Sequence, residues 1–217
     1  MEYTLPTIIH IAGGIGGILS GTAAALFQKG SVRHKRSGYI FVASMVVMAI
    51  PAALISYIDG KHFDVLSSFL TLYLILTGWL TFRPPPMYAN TALTAIAALC
   101  FLGYITIEIN TSVTGARATD APVGAGYVFA SIMGLALWGD LTKRTKALSS
   151  KKAVVRHVWR MCFGFFMATA NLFGVRPHLF PEWMQSSGLL VFLAVAPLLL
   201  MLFWSVRLKL RPLNSQT

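Results

Sequence analysis

KGSVRHKRSG, residues 29–38, places five basic or titratable side chains between two long apolar runs. The run before it reads IIHIAGGIGGILSGTAAALF (8–27), and the run after it YIFVASMVVMAIPAALISYI (39–58). At 1.5 Å per residue, a helix of about 20 residues crosses the roughly 30 Å hydrocarbon core of a bilayer. A short basic junction between two such runs is therefore read as a connection between membrane helices, held on one side of the bilayer by its charge.

The rest of the chain repeats the pattern. Of its 217 residues, 56% are hydrophobic and 12% charged, with mean hydropathy +0.67. A soluble domain carries about a quarter charged residues. The apolar runs predict seven transmembrane helices, at 4–27, 38–58, 65–82, 88–108, 124–140, 157–175 and 187–206, in one all-α polytopic domain covering 1–217. The chain opens MEYTLPTIIH, without the basic stretch of a secretory signal, so the first run reads as a retained helix.

Orientation follows from the basic residues. Lys29, Arg33, Lys35, Arg36, Arg83, Lys143, Arg144, Lys146, Lys151, Lys152, Arg156, Arg207, Lys209 and Arg211 share one side, against Lys61, Arg117 and Arg176 on the other. Fourteen against three predicts an external N-terminus and a cytoplasmic C-terminus. Glu2, Asp59, Asp64, Asp120 and Glu182 fall on the outer side, as expected. The net charge of +11 is thus a topology signal, and its confinement to short junctions argues against nucleic acid as a partner. The basic segment 140–157 reads as a cytoplasmic stretch, either solvated or lying on anionic lipid. Asn110-Thr111-Ser112 forms a glycosylation sequon in the outer segment 109–123.

Several residues inside or beside the spans are candidates for function. Gly13, Gly17 and Gly21 recur every four residues and give a smooth face for close helix approach, within the chain or with a second copy. His10 shares that face, as a ligand-binding residue or as an interhelical hydrogen-bonding group. His157, Met161, Gly164, Ala168 and Asn171 share a face of the sixth span, which Asn171 should turn inward. Arg160 reads either as a snorkelling side chain or as a fixed charge facing an anionic ligand or a carboxylate. Arg36 completes the ligand-binding candidates. Glu108 is the one acid expected near a span interior, so a multi-carboxylate proton relay is unsupported. Pro51 and Pro197 are expected to bend their helices, and Trp79, Trp138, Trp159, Trp183 and Trp204 to form interfacial belts.

Histidines divide by depth, since His10 and His34 lie about 36 Å apart along a helix. His34 and His157 form an inner pair, which predicts that His34 approaches the start of the sixth helix. His10 joins His62 or His178 on the outer side. Cys100 and Cys162 read as apolar packing residues, with no CxxC motif and no resident metal site. The motifs GxxxxGK, HExxH and GxSxG do not occur, so no ATPase, zinc protease or serine hydrolase is indicated.

The spaced residues from His10 to Met45, HI..G..G…KG…H.R.G..F...M, with H..RM from His157 to Met161, resemble an uncharacterised family of bacterial multi-pass membrane proteins. In this chain Lys35 separates His34 from Arg36, and RPPPMYAN stands where some relatives carry a histidine. The resemblance implies an integral protein of the bacterial inner membrane and supplies no activity. Three readings of function stand. The first is a non-enzymatic transporter or sensor of a small molecule or ion. The second is a haem b electron-transfer protein with histidine ligands on each side, and the third is an assembly partner of a membrane complex.

Overall fold

The computed structural model describes residues 4–83, 86–115, 124–143 and 150–210, all in helices and short connections, with no strand among them. Glu2, Arg117, Asp120, Arg144, Lys146 and Arg211, used above for orientation, lie outside the described residues.

Seven long helices form where the apolar runs predict them: α1 (Leu5–Leu26), α2 (Val32–Ile58), α3 (His62–Trp79), α4 (Met87–Thr114), α5 (Ala125–Lys143), α6 (Ser150–Thr169) and, after the short α7 (Glu182–Ser186), α8 (Leu189–Leu210). Six of them are long and apolar enough to cross a membrane. The exception is α6, whose first half carries Lys151, Lys152, Arg156 and Arg160. Leu19, Leu26, Leu99, Leu102 and Leu202 are more than half exposed, as apolar side chains facing lipid would be.

Three boundaries differ from expectation for one reason, that polar or charged helical turns read as loops. Helix α2 starts at Val32, so Arg33, His34, Lys35 and Arg36 occupy its first turns and only a few residues connect it to α1. Its N-cap is Ser31, whose hydroxyl accepts from the His34 N–H at 3.2 Å. Helix α4 runs on to Thr114 and takes the sequon into its last turns. The segment 140–157 begins as the last turn of α5 and ends as the first two turns of α6, and residues 144–149 between them lie outside the described residues.

Packing begins with the glycine face of α1. A Cβ at Gly13 would come within 2.7 Å of the Met48 backbone nitrogen, one at Gly17 within 3.0 Å of Met45 Sδ, and one at Gly21 within 3.0 Å of Phe41 and Phe165. The face is filled by α2 and α6 of the same chain, so it is not a free surface for a second copy. His10 closes the pair, with Nδ1 2.8 Å from the Met48 carbonyl oxygen. Both Pro51 and Pro197 sit inside continuous helices.

The hub of the bundle is α3. Leu70, Tyr73 and Leu74 pack with Ala97 and Cys100 of α4 and Met133 and Ala136 of α5. On its other side Ile75 meets Phe41, Val42 and Met45 of α2 and Ala168 of α6. Gly78 of α3 lies against Arg160 Cβ and Met161, and Gly164 of α6 lies against Ile75. These two glycines bring α3 and α6 close enough for polar side chains to reach across. Toward the opposite end, Phe63, Tyr104 and Phe129 stack edge-on around Ala130.

The glycine contacts make a direct prediction. Gly13→Ala drives a methyl group into the α2 backbone and is expected to cost about 1–3 kcal/mol. Gly38→Ala, where a Cβ meets nothing within 4 Å, should be neutral or stabilise by up to about 1 kcal/mol through helix propensity. Thermal unfolding of the two purified variants in one detergent checks both signs.

Candidate functional site

Three helices each contribute residues spaced four apart to one buried polar cluster. From α3 and the 3₁₀ turn that follows it (Leu80–Phe82) come Tyr73, Thr77 and Thr81; from α5, Ala136 and Asp140; from α6, Arg156 and Arg160. Four-residue spacing keeps each set on a single helix face. The threonines add little polarity of their own, because each hydroxyl donates to the carbonyl four residues earlier: Thr81 to Thr77 at 2.9 Å, and Thr77 to Tyr73.

Asp140 is 4% exposed and its carboxylate is fully engaged. Oδ1 accepts from Arg156 Nη2 at 2.5 Å and Arg160 Nη2 at 3.1 Å; Oδ2 accepts from Arg160 Nη1 at 3.0 Å and from the Tyr73 hydroxyl. Four accepted bonds use the capacity of an ionised carboxylate. Arg160, 1% exposed, also donates to the Thr77 hydroxyl and to the Ala136 carbonyl at 2.7 Å. Its guanidinium lies between the rings of Tyr73 and Trp159, at 5.5 and 5.2 Å. Arg156 donates to the Thr77 carbonyl at 2.6 Å and to the Thr81 hydroxyl.

Two features of the cluster remain open. Its formal charge is +1, two guanidiniums against one carboxylate. The Nε atoms of both arginines are buried without a hydrogen-bond partner. Beside them lies an open cleft of about 400 Å³, lined by Leu135, Gly139, Val155, Trp159, Arg156 and Arg160 with Lys151, Lys152 and Thr142.

The structure sorts the residues expected from sequence. Arg160 is the fixed charge facing a carboxylate, and does not snorkel. Trp159 packs on the α3–α4–α5 core and beneath Arg160, so it is more than an interfacial belt residue. His157 Nδ1 lies 3.1 Å from the Gly78 carbonyl oxygen, and His34 Nδ1 lies 3.0 Å from that of Ala24. The two imidazoles interact electrostatically. His34 thus spans the α1–α2 turn and caps a carbonyl in the last turn of α1, where Lys29 Nζ also donates to Ala24 and Ala25. His10 is the interhelical hydrogen-bonding group already described, and Arg36 is exposed. Asn171 is also exposed, because a π-helical turn over Ala170–Gly174 takes it off the inward face of α6. His62 and His178 are exposed as well. Among the described residues no three His, Cys, Asp or Glu side chains group as metal ligands would.

Glu108 is buried and spans α4 and α5. Its carboxylate accepts from the backbone N–H of Gly124 at 2.5 Å and Gly126 at 3.1 Å. This is a carboxylate cap on the N-terminus of α5, supplied by a neighbouring helix. Gly124 adopts φ +85°, and Gly126 carries no side chain to collide with Glu108.

Sequence reasoning missed Asp140, Tyr73, Thr77 and Thr81, and read Arg156 only as a topology charge. The available signal was the Arg156–Arg160 spacing one turn into an apolar run, with an acid near the end of the preceding run. No family model, curated protein or solved structure matches the chain.

Asp140→Asn removes the counter-charge of two buried guanidiniums and is expected to destabilise the bundle by about 3–5 kcal/mol. Tyr73→Phe removes one hydrogen bond to the carboxylate and should cost about 1.5–3 kcal/mol. Chemical denaturation in mild detergent, with the two variants beside the parent chain, measures both.

Proposed function

We propose that this chain is a seven-span protein of the bacterial inner membrane, with an external N-terminus and a cytoplasmic C-terminus. It transports or senses a small molecule or ion at the cavity beside Arg156, Asp140 and Arg160. The six apolar helices and the bias of basic residues toward one side support the membrane reading. Helix α6 counts as the seventh span because Arg156 and Arg160 turn to α3 and α5 rather than to lipid. The basic residues at that end, Lys151 and Lys152 among them, suit an anionic leaflet.

The observation that carries the functional reading is the buried charged cluster with a cavity against it. Ionisable groups inside a membrane bundle are expensive, and they mark ligand or ion pathways more often than they serve packing. A cavity of about 400 Å³ falls within the usual range for small-molecule sites. The cluster offers binding groups and no nucleophile–base pair, which favours a carrier or receptor over an enzyme.

One observation favours haem as a second reading. At His34 and His157 the Nδ1 atom meets a backbone carbonyl, the arrangement that fixes Nε2 as a ligand. These two would be the axial pair, and haem b would supply one-electron transfer. His10 has the same arrangement on the outer side, but exposed His62 and His178 give it a poor partner.

A panel of anionic, neutral and cationic metabolites tested for saturable binding or vesicle uptake decides the first reading. Saturable binding by any class is expected, and none by all three would overturn it in favour of an assembly role. A Soret band after haem-replete expression, lost in His157→Ala, is the signature of the second.

A further inference from the structure

We infer that the cavity between α5 and α6 takes an amphipathic organic anion carrying a single negative charge, its acid group at the arginine pair and its apolar body against Leu135, Val155 and Trp159. The inference rests on the transporter or sensor reading and names its ligand class. Three independent features lead to it.

The first is charge. Arg156 and Arg160 bring two positive charges to one carboxylate, so the cluster is neutral only when one more negative charge joins it. A cation would add to an uncompensated positive site. A dianion would need Lys151 or Lys152, which also line the cavity, to take its second charge. Lys152 is exposed, and Lys151 donates to the Lys209 carbonyl at 3.4 Å.

The second feature is donor supply. The Nη atoms are committed to Asp140, Ala136, Thr77 and Thr81, whereas both Nε atoms are buried and unpaired. A buried donor without an acceptor is costly. Both Nε atoms are covered by protein, so an acid group at the arginines reaches them only where a side chain over the guanidiniums moves aside, with Asp140 left in place. Charge-assisted N–H···O⁻ bonds of this kind are the strongest that arginine makes.

The third is shape. The lining includes no acidic residue, and its uncharged part is largely apolar. Gly139 forms a doorway: a Cβ there would lie 3.9 Å from Arg160 Nη2, an ordinary contact, so an alanine is accommodated and a longer side chain projects across the approach to the guanidinium.

The test uses the full chain in lipid nanodiscs, with equilibrium binding of benzoate, hexanoate, succinate, inorganic phosphate, benzylamine and benzyl alcohol. Saturable binding of benzoate or hexanoate is expected, at least tenfold tighter than of the other four. Gly139→Leu should weaken it tenfold or more. Val155→Phe narrows the same cavity from α6 and should do likewise, which keeps the test decisive if one variant folds poorly. Equal or tighter binding of succinate, phosphate, benzylamine or benzyl alcohol would overturn the monoanion inference alone. So would benzoate binding that neither variant changes. If all six solutes and the wider metabolite panel fail to bind, both the inference and the transporter or sensor reading fall.

Discussion

The bundle depends on the need to keep a carboxylate and two guanidiniums paired and hydrogen-bonded away from water. An unpaired ion in an apolar interior costs several kcal/mol, and its partner must be held in good geometry to offset that. Asp140, Arg156 and Arg160 meet most of that condition with α3 as their scaffold, leaving one positive charge and both Nε atoms unpaired. Much of the packing around them serves this contact. Gly78 and Gly164 let α3 and α6 approach, the Thr77 carbonyl accepts one guanidinium, and the rings of Tyr73 and Trp159 cover the other.

A second theme is that polar side chains on this bundle serve neighbouring backbones. His10, His34 and His157 each reach a carbonyl of another helix, and Glu108 reaches two amides at the start of α5. In a bilayer such bonds have no competition from water, and helix ends carry the backbone groups most in need of partners. The histidine pattern has two consequences at once. It locks helix pairs together, and it leaves each imidazole with one ring nitrogen unspent on packing.

The helices themselves were readable because length and hydropathy act residue by residue. Each of the seven long helices overlaps a predicted run, and only α1 lies wholly inside its predicted bounds. Their ends were harder to read, since Arg33 to Arg36 and Lys151 to Arg156 are charged whether they sit in a helical turn or a loop. The site was harder still. Arg160 could be flagged from its position in an apolar run, and its two readings could not be separated until its partner was known. That partner, Asp140, opens the stretch DLTKRTK, where its basic neighbours in sequence hid the apolar surroundings it has in space. Thr77 and Thr81 gave no signal at all, because a threonine bonded to its own helix is common in membrane spans.

The spacing of the charged cluster also bears on how the chain enters its membrane. Asp140 precedes Arg156 by 16 residues and Arg160 by 20, whereas Thr77 precedes Arg160 by 83. A nascent chain therefore delivers the acid first, and the bases that neutralise it one helix later. Inserted alone, α5 would carry a bare carboxylate into lipid; α6 alone would carry two bare guanidiniums. Joined as a hairpin, the pair hides both behind a nearly neutral seam. On the seven-span reading proposed above, the ion pair makes α5 and α6 a single unit of insertion, which then docks on an α3 already in place.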